Sequence, residues 1–356
     1  MKIGVVGCGM ISGHHLTAAA RYRGAQVVGV VDRDIARARA QAAHFSIARS
    51  FDNVADLLAL KPDVVHVLTP PGQHRDVAIE ALAAGAHVYV EKPMALTVAD
   101  CEAMTRAASA AGRELCVGHN YLFTPAMLEA EALIASGVTG EIVQASSSYN
   151  YDVRRNPSFG QMHWSKELPG GLAEDLAVHQ AALLIRLLGS PKGTFAVGRA
   201  AASIPGGKSA DVRALIDAER GIGSLAVSLR ALPDMCLLDI WCERMMLRVN
   251  ISSMTLTVQR DYPLKRNIAR GVGNFDTAAQ LVGSTFGTVW KLLRKKVDGS
   301  YGIVPLIHRF YAALESGRPA PVGPLEGTEA VSVLRSIWPT AAEPSAAEPT
   351  ALREVG

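Results

Sequence analysis

Residues 2–13 read Lys2-Ile3-Gly4-Val5-Val6-Gly7-Cys8-Gly9-Met10-Ile11-Ser12-Gly13, a short apolar run followed directly by closely spaced glycines. Gly7 permits a tight turn after a strand, and Gly9 lets a pyrophosphate approach the backbone. Ser12 supplies the small residue that the third position of such a turn needs. A helix that opens here offers free N–H groups and a partial positive charge to phosphates. The stretch predicts a dinucleotide-binding turn, with Gly7, Gly9, Met10 and Ile11 beside the cofactor.

The first 120 residues alternate short β-branched runs with alanine-rich helical patterns. The runs are Lys2–Val6, Gln26–Val31, Val64–Leu68, His87–Val90 and Leu115–Val117. The helical patterns between them include Ile35–His44, His74–Ala84 and Ala99–Ala111. Such alternation is typical of right-handed βαβ units around a parallel sheet. The sequence therefore predicts an α/β protein whose residues 1–122 form a Rossmann-type, doubly wound NAD(P)-binding domain.

After about residue 124 the pattern changes to longer strands separated by short turns. The runs are 141–149, 193–202, 212–218, 224–229, 237–242, 247–250 and 255–258. Helical patterns occur at 125–136, 171–188, 304–316 and 325–338. This order predicts a C-terminal α+β domain, residues 123–340, with a large mostly antiparallel sheet for substrate binding and oligomerisation. Residues 341–356, with their Ala-Ala-Glu-Pro repeat, are predicted to be a disordered tail.

Asp32 ends the second predicted strand, about twenty residues after the glycines. An acidic side chain there accepts hydrogen bonds from the adenosine ribose and repels a 2′-phosphate, which favours NAD and leaves NADP open. Arg33 is placed to stack on adenine or to meet a phosphate. Aspartate is also a common helix N-cap, so Asp32 has the alternative role of capping the helix that begins near Ile35.

Further polar motifs follow the carboxyl ends of the predicted strands, where ligands bind in open α/β sheets. Thr69-Pro70-Pro71 closes the strand that ends at Leu68, and its prolines remove N–H donors and stiffen the loop. Glu91-Lys92-Pro93 comes immediately after the run His87–Val90. These positions predict a site at the edge of the sheet where the nicotinamide half of the cofactor should lie.

Taken together, these motifs resemble those of the Gfo/Idh/MocA oxidoreductases, the family of glucose-fructose oxidoreductase and inositol dehydrogenase. The motifs are Gly7-x-Gly9, Asp32, Thr69-Pro70-Pro71 with His74, Glu91-Lys92-Pro93, and Gly170-Gly171 followed by Asp175-x-x-x-His179. The resemblance implies hydride exchange between a nicotinamide and a sugar, cyclitol or related alcohol, and a homodimer or homotetramer. It places Lys92 in the substrate and nicotinamide region, Asp175 and His179 in the catalytic group, and His74, Glu91 and Asn120 near the cofactor. It also implies a frequent cis bond before Pro93.

The residue types suit that chemistry on their own terms. Asp175 and His179 are four residues apart on a helical pattern, so both side chains project from one face. Oxidation of a secondary alcohol needs a base for the hydroxyl proton, and imidazole titrates in the useful range. Lys92 can stabilise negative charge on the same oxygen, and Asp175 can orient the imidazole or the substrate. The alternative is a core histidine satisfied by a carboxylate. Position 182 departs from the family, since it is alanine where an acidic residue is common.

Aromatic and basic residues between the two halves are candidates for substrate contact. They are Tyr121, Tyr151, Arg154, Arg155, His163, Trp164 and Lys166. Aromatic faces suit a pyranose ring, and two arginines can clamp a carboxylate or diphosphate, which would fit a nucleotide sugar or a uronate. Equally, these are ordinary charges of a surface loop.

Composition limits the remaining function classes. The net charge is only +3, from 36 basic and 33 acidic residues, so we expect a small-molecule substrate and no nucleic-acid partner. The five cysteines include no Cys-x-x-Cys pair, and the histidines show no metal-ligand spacing, so we expect free thiols and no metal. No cleavable signal segment and no apolar run of membrane-spanning length is evident, which favours a cytoplasmic protein.

Two questions stay open at this level. An amphipathic pattern at 275–296 ends in Arg294-Lys295-Lys296, and such a helix packs on its own domain or a partner subunit, rests on a membrane, or closes over a pocket. The function has two alternatives to net redox chemistry. One is a glycosidase or epimerase that keeps its NAD tightly bound, and the other is a non-catalytic NAD-binding regulatory protein.

Overall fold

The computed structural model describes residues 1–155, 164–201, 204, 209–293 and 301–340. Two compact units are present. The first contains Met1–Thr124 and the described part of residues 298–331, and the second contains the described parts of residues 125–297 and 332–356. The expected tail at 341–356 lies outside the described residues.

The first unit is built on a six-stranded parallel sheet of order β3-β2-β1-β4-β5-β6. The strands are β1 (Lys2–Val6), β2 (Gln26–Val31), β3 (Ser50–Phe51), β4 (Val64–Val67), β5 (His87–Val90) and β6 (Leu115–Val117). The helices are α1 (Ser12–Arg21), α2 (Ile35–His44), α3 (Val54–Leu58), α4 (His74–Ala83) and α5 (Val98–Ala111). The strand order reverses between β1 and β4, and this is where doubly wound sheets bind ligands. The predicted Rossmann-type fold is confirmed.

The central strands of this sheet form the core of the unit. Every residue of β4 is buried, as are four of the five in β1. Continuous apolar runs of this kind are expected in parallel sheets that helices cover on both faces. The two-residue β3 and the five-residue α3 were absent from the sequence prediction, because patterns that short carry too little periodicity.

Residues 301–331 return to the first unit, whereas the sequence predicts them in the second domain. Helix α9 (Ile303–Glu315) packs on α1. The His308 ring lies 2.9 Å from the Ala18 carbonyl oxygen, and the Tyr22 hydroxyl donates to Glu315 at 2.8 Å. Val117 at the end of β6 donates to the Val322 carbonyl at 3.1 Å. These bonds tie the returning segment to the same core as the first 124 residues.

The second unit contains a seven-stranded sheet of order β13-β12-β11-β7-β10-β9-β8. The strands are β7 (Ile142–Asn150), β8 (Pro191–Arg199), β9 (Asp211–Ala218), β10 (Gly221–Ser228), β11 (Met235–Cys242), β12 (Met245–Asn250) and β13 (Thr255–Arg260). All pairs are antiparallel except β7 with β10. The predicted large, mostly antiparallel sheet is confirmed.

Helices cover this sheet unevenly. The helices that lie after residue 124 and outside the returning segment are α6 (Pro125–Ala135), α7 (Leu172–Leu188) and α8 (Arg266–Leu293), and the unit boundary falls within α10 (Pro324–Ile337). Helix α7 packs on β7 and β10, and α8 packs on β13. Buried and exposed residues alternate along β9, so one face of the sheet is covered there and the other is open. The amphipathic helix is confirmed up to Leu293, and Arg294-Lys295-Lys296 lie outside the described residues.

Candidate active site

The glycine turn has the geometry that a phosphate cradle requires. Gly7 has a φ of +102°, and a Cβ there would lie 2.7 Å from the Leu68 carbonyl carbon, so no side chain fits. A Cβ at Gly9 would meet no atom within 4 Å, which leaves open space beside this backbone. The Ser12 hydroxyl donates to the Gly9 carbonyl at 2.7 Å and fixes the turn. No side chain caps the N-terminus of α1, and its Ser12 and His14 amides donate to the carbonyls of Gly9 and Ile11 at 3.1 and 3.0 Å. The positive end of the helix dipole is therefore not covered by a side chain.

Asp32 links the end of β2 to the glycine turn. One carboxylate oxygen accepts from the Cys8 amide at 2.8 Å, and the other accepts from the Asp34 amide at 2.9 Å. The N-cap of α2 is Asp34, whose side chain accepts from Ala36, and so the capping role considered for Asp32 belongs to its neighbour. Asp32 thus presents a fixed carboxylate beside the turn.

Cys8 lies inside this turn with its thiol buried. Its side chain is buried, and its thiol donates to the Val31 carbonyl at 3.5 Å. Burial, together with the nearby charge of Asp32, raises the pKa of the Cys8 thiol to about 12. The thiol therefore stays protonated at neutral pH, and its role is packing under the turn.

These features fit a dinucleotide. The open space beside Gly9, the uncapped helix start and the fixed Asp32 carboxylate correspond to a pyrophosphate and a ribose. Met10 is 77% exposed at the tip of the turn and Arg33 is exposed after Asp32, so both side chains can reach a bound molecule.

His74 connects two loops instead of facing solvent. Its Nε2 lies 2.6 Å from the Thr69 carbonyl oxygen, and its Nδ1 lies 3.1 Å from that of Pro93 and 3.2 Å from that of Met94. The ring is fully buried, and burial outweighs the carbonyl contacts and lowers the pKa of His74. His74 therefore positions the loops after β4 and β5, whereas Thr69 is partly exposed and Pro70 exposed beside it.

Glu91-Lys92-Pro93 follows β5 with a cis bond between Lys92 and Pro93. The Glu91 carboxylate is 14% exposed and accepts from the His15 ring at 3.0 Å. Burial opposes ionisation of Glu91, but the His15 hydrogen bond and the nearby charge of Lys92 outweigh it and lower the pKa of Glu91. Glu91 is thus an anion that anchors the segment carrying Lys92, which is itself partly exposed.

A buried chain of polar rings extends inward from Glu91. The Nδ1 atoms of His15 and His66 are 2.9 Å apart, and the Nε2 of His66 lies 2.8 Å from the Tyr311 hydroxyl. Burial, and secondarily His15, lower the pKa of His66 well below its usual value, so His66 is neutral. One consistent arrangement follows: Tyr311 donates to His66, His66 donates to His15, and His15 donates to Glu91. The chain fixes the tautomer of each ring.

Asn120 and Tyr121 face the returning segment. The Asn120 amide donates to the Tyr301 carbonyl at 2.8 Å, and the rings of Tyr121 and Tyr301 are 6.5 Å apart. Asn120 is 8% exposed. These contacts give both residues a structural partner that the sequence analysis had not anticipated.

In the second unit, two glycines set the start of α7. A Cβ at Gly170 would lie 2.4 Å from the Trp338 ring, and Gly171, the N-cap of α7, has a φ of +63°. Gly170 therefore serves close packing, and Gly171 serves a backbone conformation that other residues rarely adopt.

Asp175 and His179 lie one turn apart on α7, as the sequence predicts. Asp175 is 4% exposed and His179 is 7% exposed. Glu174 beside them forms a buried ion pair with Arg335, and its second oxygen accepts from the Gly170 amide at 2.8 Å. The start of α7 therefore holds three ionisable groups in a largely buried setting.

The residues that directly follow His179 on α7 are buried and make contacts within the second unit. The Gln180 side chain pairs with the Ser147 hydroxyl and donates to the Cys236 sulfur at 3.6 Å. Ala182, where the family commonly has an acid, is 4% exposed. Gln180 therefore fixes α7 to β7 and β11.

The candidate substrate residues differ in their exposure and in the contacts that they make. Arg154 makes a bidentate pair with Asp152 at 2.7 and 2.8 Å, so its guanidinium is engaged and is not the open half of an arginine clamp. Arg155 is exposed, and Tyr151, Trp164 and Lys166 are partly exposed. His163 lies outside the described residues. Lys92 belongs to the first unit, whereas Asp175 and His179 belong to the second.

Sequence reasoning missed the partners of the motif residues. These are His15, His66 and Tyr311 around Glu91, and Glu174 with Arg335 at the start of α7. One signal was present, since His66 interrupts the otherwise apolar strand Val64–Val67. Among the described residues, no group of three or more histidine, cysteine or acidic side chains could hold a metal ion.

Two family models match the chain. The model described as "Oxidoreductase family, NAD-binding Rossmann fold" matches residues 1–119, and that of the "GFO/IDH/MocA C-terminal domain" matches residues 127–248. A 1-carboxy-3-chloro-3,4-dihydroxycyclohexa-1,5-diene dehydrogenase of Comamonas testosteroni is 38% identical over 191 residues, 53% of this chain and 47% of that protein. An inositol 2-dehydrogenase of Salmonella typhimurium is 33% identical over 145 residues, 40% of this chain and 43% of that protein.

The chain thus spans about half the length of the curated relatives it matches. Among solved structures, the WlbA dehydrogenase of Bordetella pertussis in complex with NADH and UDP-GlcNAcA has a TM-score of 0.77 at 23% identity, covering 95% of this chain and 94% of that one. The UDP-N-acetylglucosamine 3-dehydrogenase of Acidithiobacillus ferrooxidans has a TM-score of 0.74 at 22% identity, covering 95% and 96%. At these identities the likeness concerns the fold.

No described helix has the length and apolar character needed to cross a membrane.

Proposed function

This chain belongs to the Gfo/Idh/MocA oxidoreductase family, whose N-terminal domain binds NAD, and we propose that it is an NAD-dependent dehydrogenase or reductase. Its substrate is the secondary alcohol or ketone of a cyclitol, a sugar or a sugar derivative such as a nucleotide sugar or uronate. The names of relatives support this class, since they act on a cyclic diol, on inositol and on a UDP-sugar.

One observation carries the proposal, namely the composition of the buried helix α7. Fifteen of its seventeen residues are buried, and they include Asp175 and His179 one turn apart. Burying a carboxylate and an imidazole costs free energy, and such groups concentrate at sites of proton chemistry. Of the other buried polar groups on α7, Glu174 is paired with Arg335 and Gln180 with Ser147.

Each residue has a defined role in the proposed reaction. His179 accepts the proton of the substrate hydroxyl, and Asp175 orients the imidazole and stabilises its charged form. Lys92 donates a hydrogen bond to the same substrate oxygen and stabilises the negative charge that develops there. Glu91 and His74 hold the segment of Lys92 through their contacts with His15 and the loop carbonyls.

The cofactor is proposed to bind at the glycine turn. Gly7, Gly9, Met10 and Ile11 would line the pyrophosphate, and Asp32 and Arg33 would meet the adenosine. Thr69, Pro70, Lys92 and Asn120 would border the nicotinamide half. Bound NAD supplies the acceptor for the hydride of the carbinol carbon.

The proposal is tested by screening the full chain for NADH formation against a panel of cyclitols, uronates and nucleotide sugars. With a substrate in hand, Lys92→Ala and His179→Ala are each expected to lower kcat by about 10²- to 10⁴-fold while NADH binding is retained. Lys192→Ala and His44→Ala, at exposed positions, are matched controls that should keep full turnover.

The outcomes separate the alternatives. Full turnover by both site variants contradicts the catalytic assignment. Protein that retains an NAD molecule which never exchanges, and that converts a substrate without net NADH, favours the glycosidase or epimerase. Binding of NAD with no turnover of any compound favours the regulatory protein.

A further inference from the structure

Helix α8 turns its apolar face to solvent. Phe275 is 82% exposed, Phe286 is 72% exposed and Leu293 is 73% exposed. The other large apolar side chains that are exposed on the same side recur at three- and four-residue spacing, and they are Ile268, Val272, Val282, Val289 and Trp290. No described side chain of this helix is buried. The arrangement is the reverse of an ordinary amphipathic helix, whose apolar stripe faces its own core.

The polar face of α8 is the one that holds it to the protein. The Gln280 side chain accepts from the Val258 amide at 2.7 Å and donates to the Val258 carbonyl at 2.9 Å. The Thr288 hydroxyl donates to the Met254 carbonyl at 3.3 Å. Because this face is fixed on β13, the apolar face cannot also turn toward the same strand.

The exposed apolar face is large. A helix of 28 residues is about 42 Å long, since each residue adds about 1.5 Å. Contiguous apolar surface of this extent on a soluble domain marks an interaction site. Its occupant must therefore be identified from the charges around it.

Positive charge is concentrated on and around this helix. Residues 265–296 contain seven basic residues and one acidic residue, a net charge of +6 in a chain whose total is +3, so the rest of the chain is net −3. Lys265, Arg266 and Arg270 are exposed at its N-terminal end, and Lys291 lies at its C-terminal end. The one acid, Asp276, accepts from the Tyr262 hydroxyl at 2.6 Å and from Gln280 at 2.8 Å, and so it is engaged within the unit.

This charge pattern opposes pairing with a second copy of α8. Both ends of the helix are basic, so parallel and antiparallel pairs alike bring positive charge against positive charge. An anionic bilayer surface is complementary to the same pattern, because it accepts the apolar face at the acyl boundary and attracts the lysines and arginines to its headgroups.

We propose that α8 binds the surface of anionic phospholipid membranes. The helix lies in the plane of the interface, with Phe275, Phe286 and Trp290 below the headgroups and the basic ends among them. The apolar face buries its side chains and the basic residues add electrostatic attraction. This activity is independent of the proposed dehydrogenase chemistry, since none of these residues belongs to the candidate active site.

The test is co-sedimentation of the full chain with vesicles of phosphatidylcholine alone or of phosphatidylcholine with phosphatidylglycerol. We expect binding to the anionic vesicles only, and weaker binding at higher salt. The double variant Phe275→Glu/Phe286→Glu should bind about tenfold more weakly or worse, because each introduced charge would have to enter the interface. Leu325→Glu, at a position on another helix that is 67% exposed, is the matched control and should bind as the original chain does.

A second variant separates membrane binding from misfolding. Arg266→Glu/Arg270→Glu changes only exposed polar positions and should also abolish the preference for anionic vesicles, with circular dichroism and NADH binding unchanged. Absence of sedimentation with anionic vesicles overturns the proposal. Undiminished lipid binding by Phe275→Glu/Phe286→Glu also overturns it. So does a result in which the original chain is a dimer, this variant is a monomer, and the variant still binds lipid, because the apolar face would then be a subunit interface.

Discussion

Asp32 is the residue on which we expect the choice between NAD and NADP to depend. Its carboxylate is already fixed by the amides of Cys8 and Asp34, so its negative charge stays beside the glycine turn whether or not a ligand is bound. A charge held in place costs little reorganisation when a ribose binds, and it repels a 2′-phosphate at the same point.

We therefore expect Asp32→Asn to reduce discrimination between the two cofactors. The amide keeps an acceptor for the Cys8 N–H but carries no charge, so NADPH binding should improve relative to NADH by about tenfold. Titration of NADH and NADPH by cofactor fluorescence measures the ratio. Asp34→Asn, two residues further on at the exposed N-cap of α2, should leave the ratio unchanged. An unaltered ratio in Asp32→Asn would contradict this role.

The sequence could predict the motif residues but not their partners. Gly7, Asp32 and Lys92 were found because the chemistry of a turn or a strand end constrains them locally. The His15–His66 contact joins residues that are 51 positions apart in the sequence, and the His66–Tyr311 contact joins residues that are 245 positions apart. Pairing at such separations depends on the tertiary fold, which local patterns do not encode.

At the scale of elements, the strands were predictable because burial imposes their pattern. Seven strands of the second unit appear where alternating or apolar runs predict them, and no bound is shifted by more than three residues. The orientation of α8 was not predictable in the same way. Its periodicity predicts an apolar face but not the direction in which that face points. The direction is set by the hydrogen bonds of Gln280 to β13, which fix the opposite, polar face on the sheet.

The start of α7 depends on the buried pair between Glu174 and Arg335. Glu174 is 1% exposed and Arg335 is 6% exposed. Removing one partner leaves the other charge buried, so Arg335→Met is expected to lower the free energy of unfolding by about 3–5 kcal/mol. The double variant Glu174→Gln/Arg335→Met should recover most of this loss, because no buried charge remains. Urea unfolding of the three proteins measures the effect.

A partly exposed pair provides the control for this prediction. Arg248 binds Asp239 at 2.7 Å with 44% of its side chain exposed, and Arg248→Met should cost less than about 1 kcal/mol. Equal costs at Arg335 and Arg248, or a double variant as unstable as Arg335→Met, would show that burial of charge is not the cause.

At the scale of the whole molecule, the division into units differs from the domains predicted from the sequence in its placement of residues 301–331. Their helical pattern was visible, but the pattern does not specify which core receives the helix. The structure supplies the reason for their return, because Tyr311 completes the chain of rings that begins at Glu91 and Val322 accepts from Val117. The C-terminal segment thus contributes to holding Lys92, although it lies about 200 residues further along the chain.

The buried hydrogen-bond network of Glu91, His15, His66 and Tyr311, together with His74, predicts how the free energy of unfolding of the unliganded protein depends on pH. His66 faces His15, Tyr89 and Tyr311, and His74 faces loop carbonyls and Glu91; burial lowers the pKa of both histidines. The unfolded chain binds protons at these histidines more strongly than the folded chain does, so their stabilisation is complete above about pH 6.5 and declines below it. Each histidine should therefore contribute a loss of stability between pH 7.5 and 5.5.

Glu91 acts in a different range, because its lowered pKa gives stability that is lost only as the pH falls below about 4.3. The free energy of urea unfolding, measured at pH 7.5 and 5.5, therefore reports on the histidines. His66→Gln is expected to be less stable at both pH values, since His15 and Tyr311 lose their partner, but its stability should change less between the two than that of the original chain. His44→Gln, at an exposed position, should retain the original difference. A difference in His66→Gln as large as in the original chain would place the proton uptake elsewhere in the molecule.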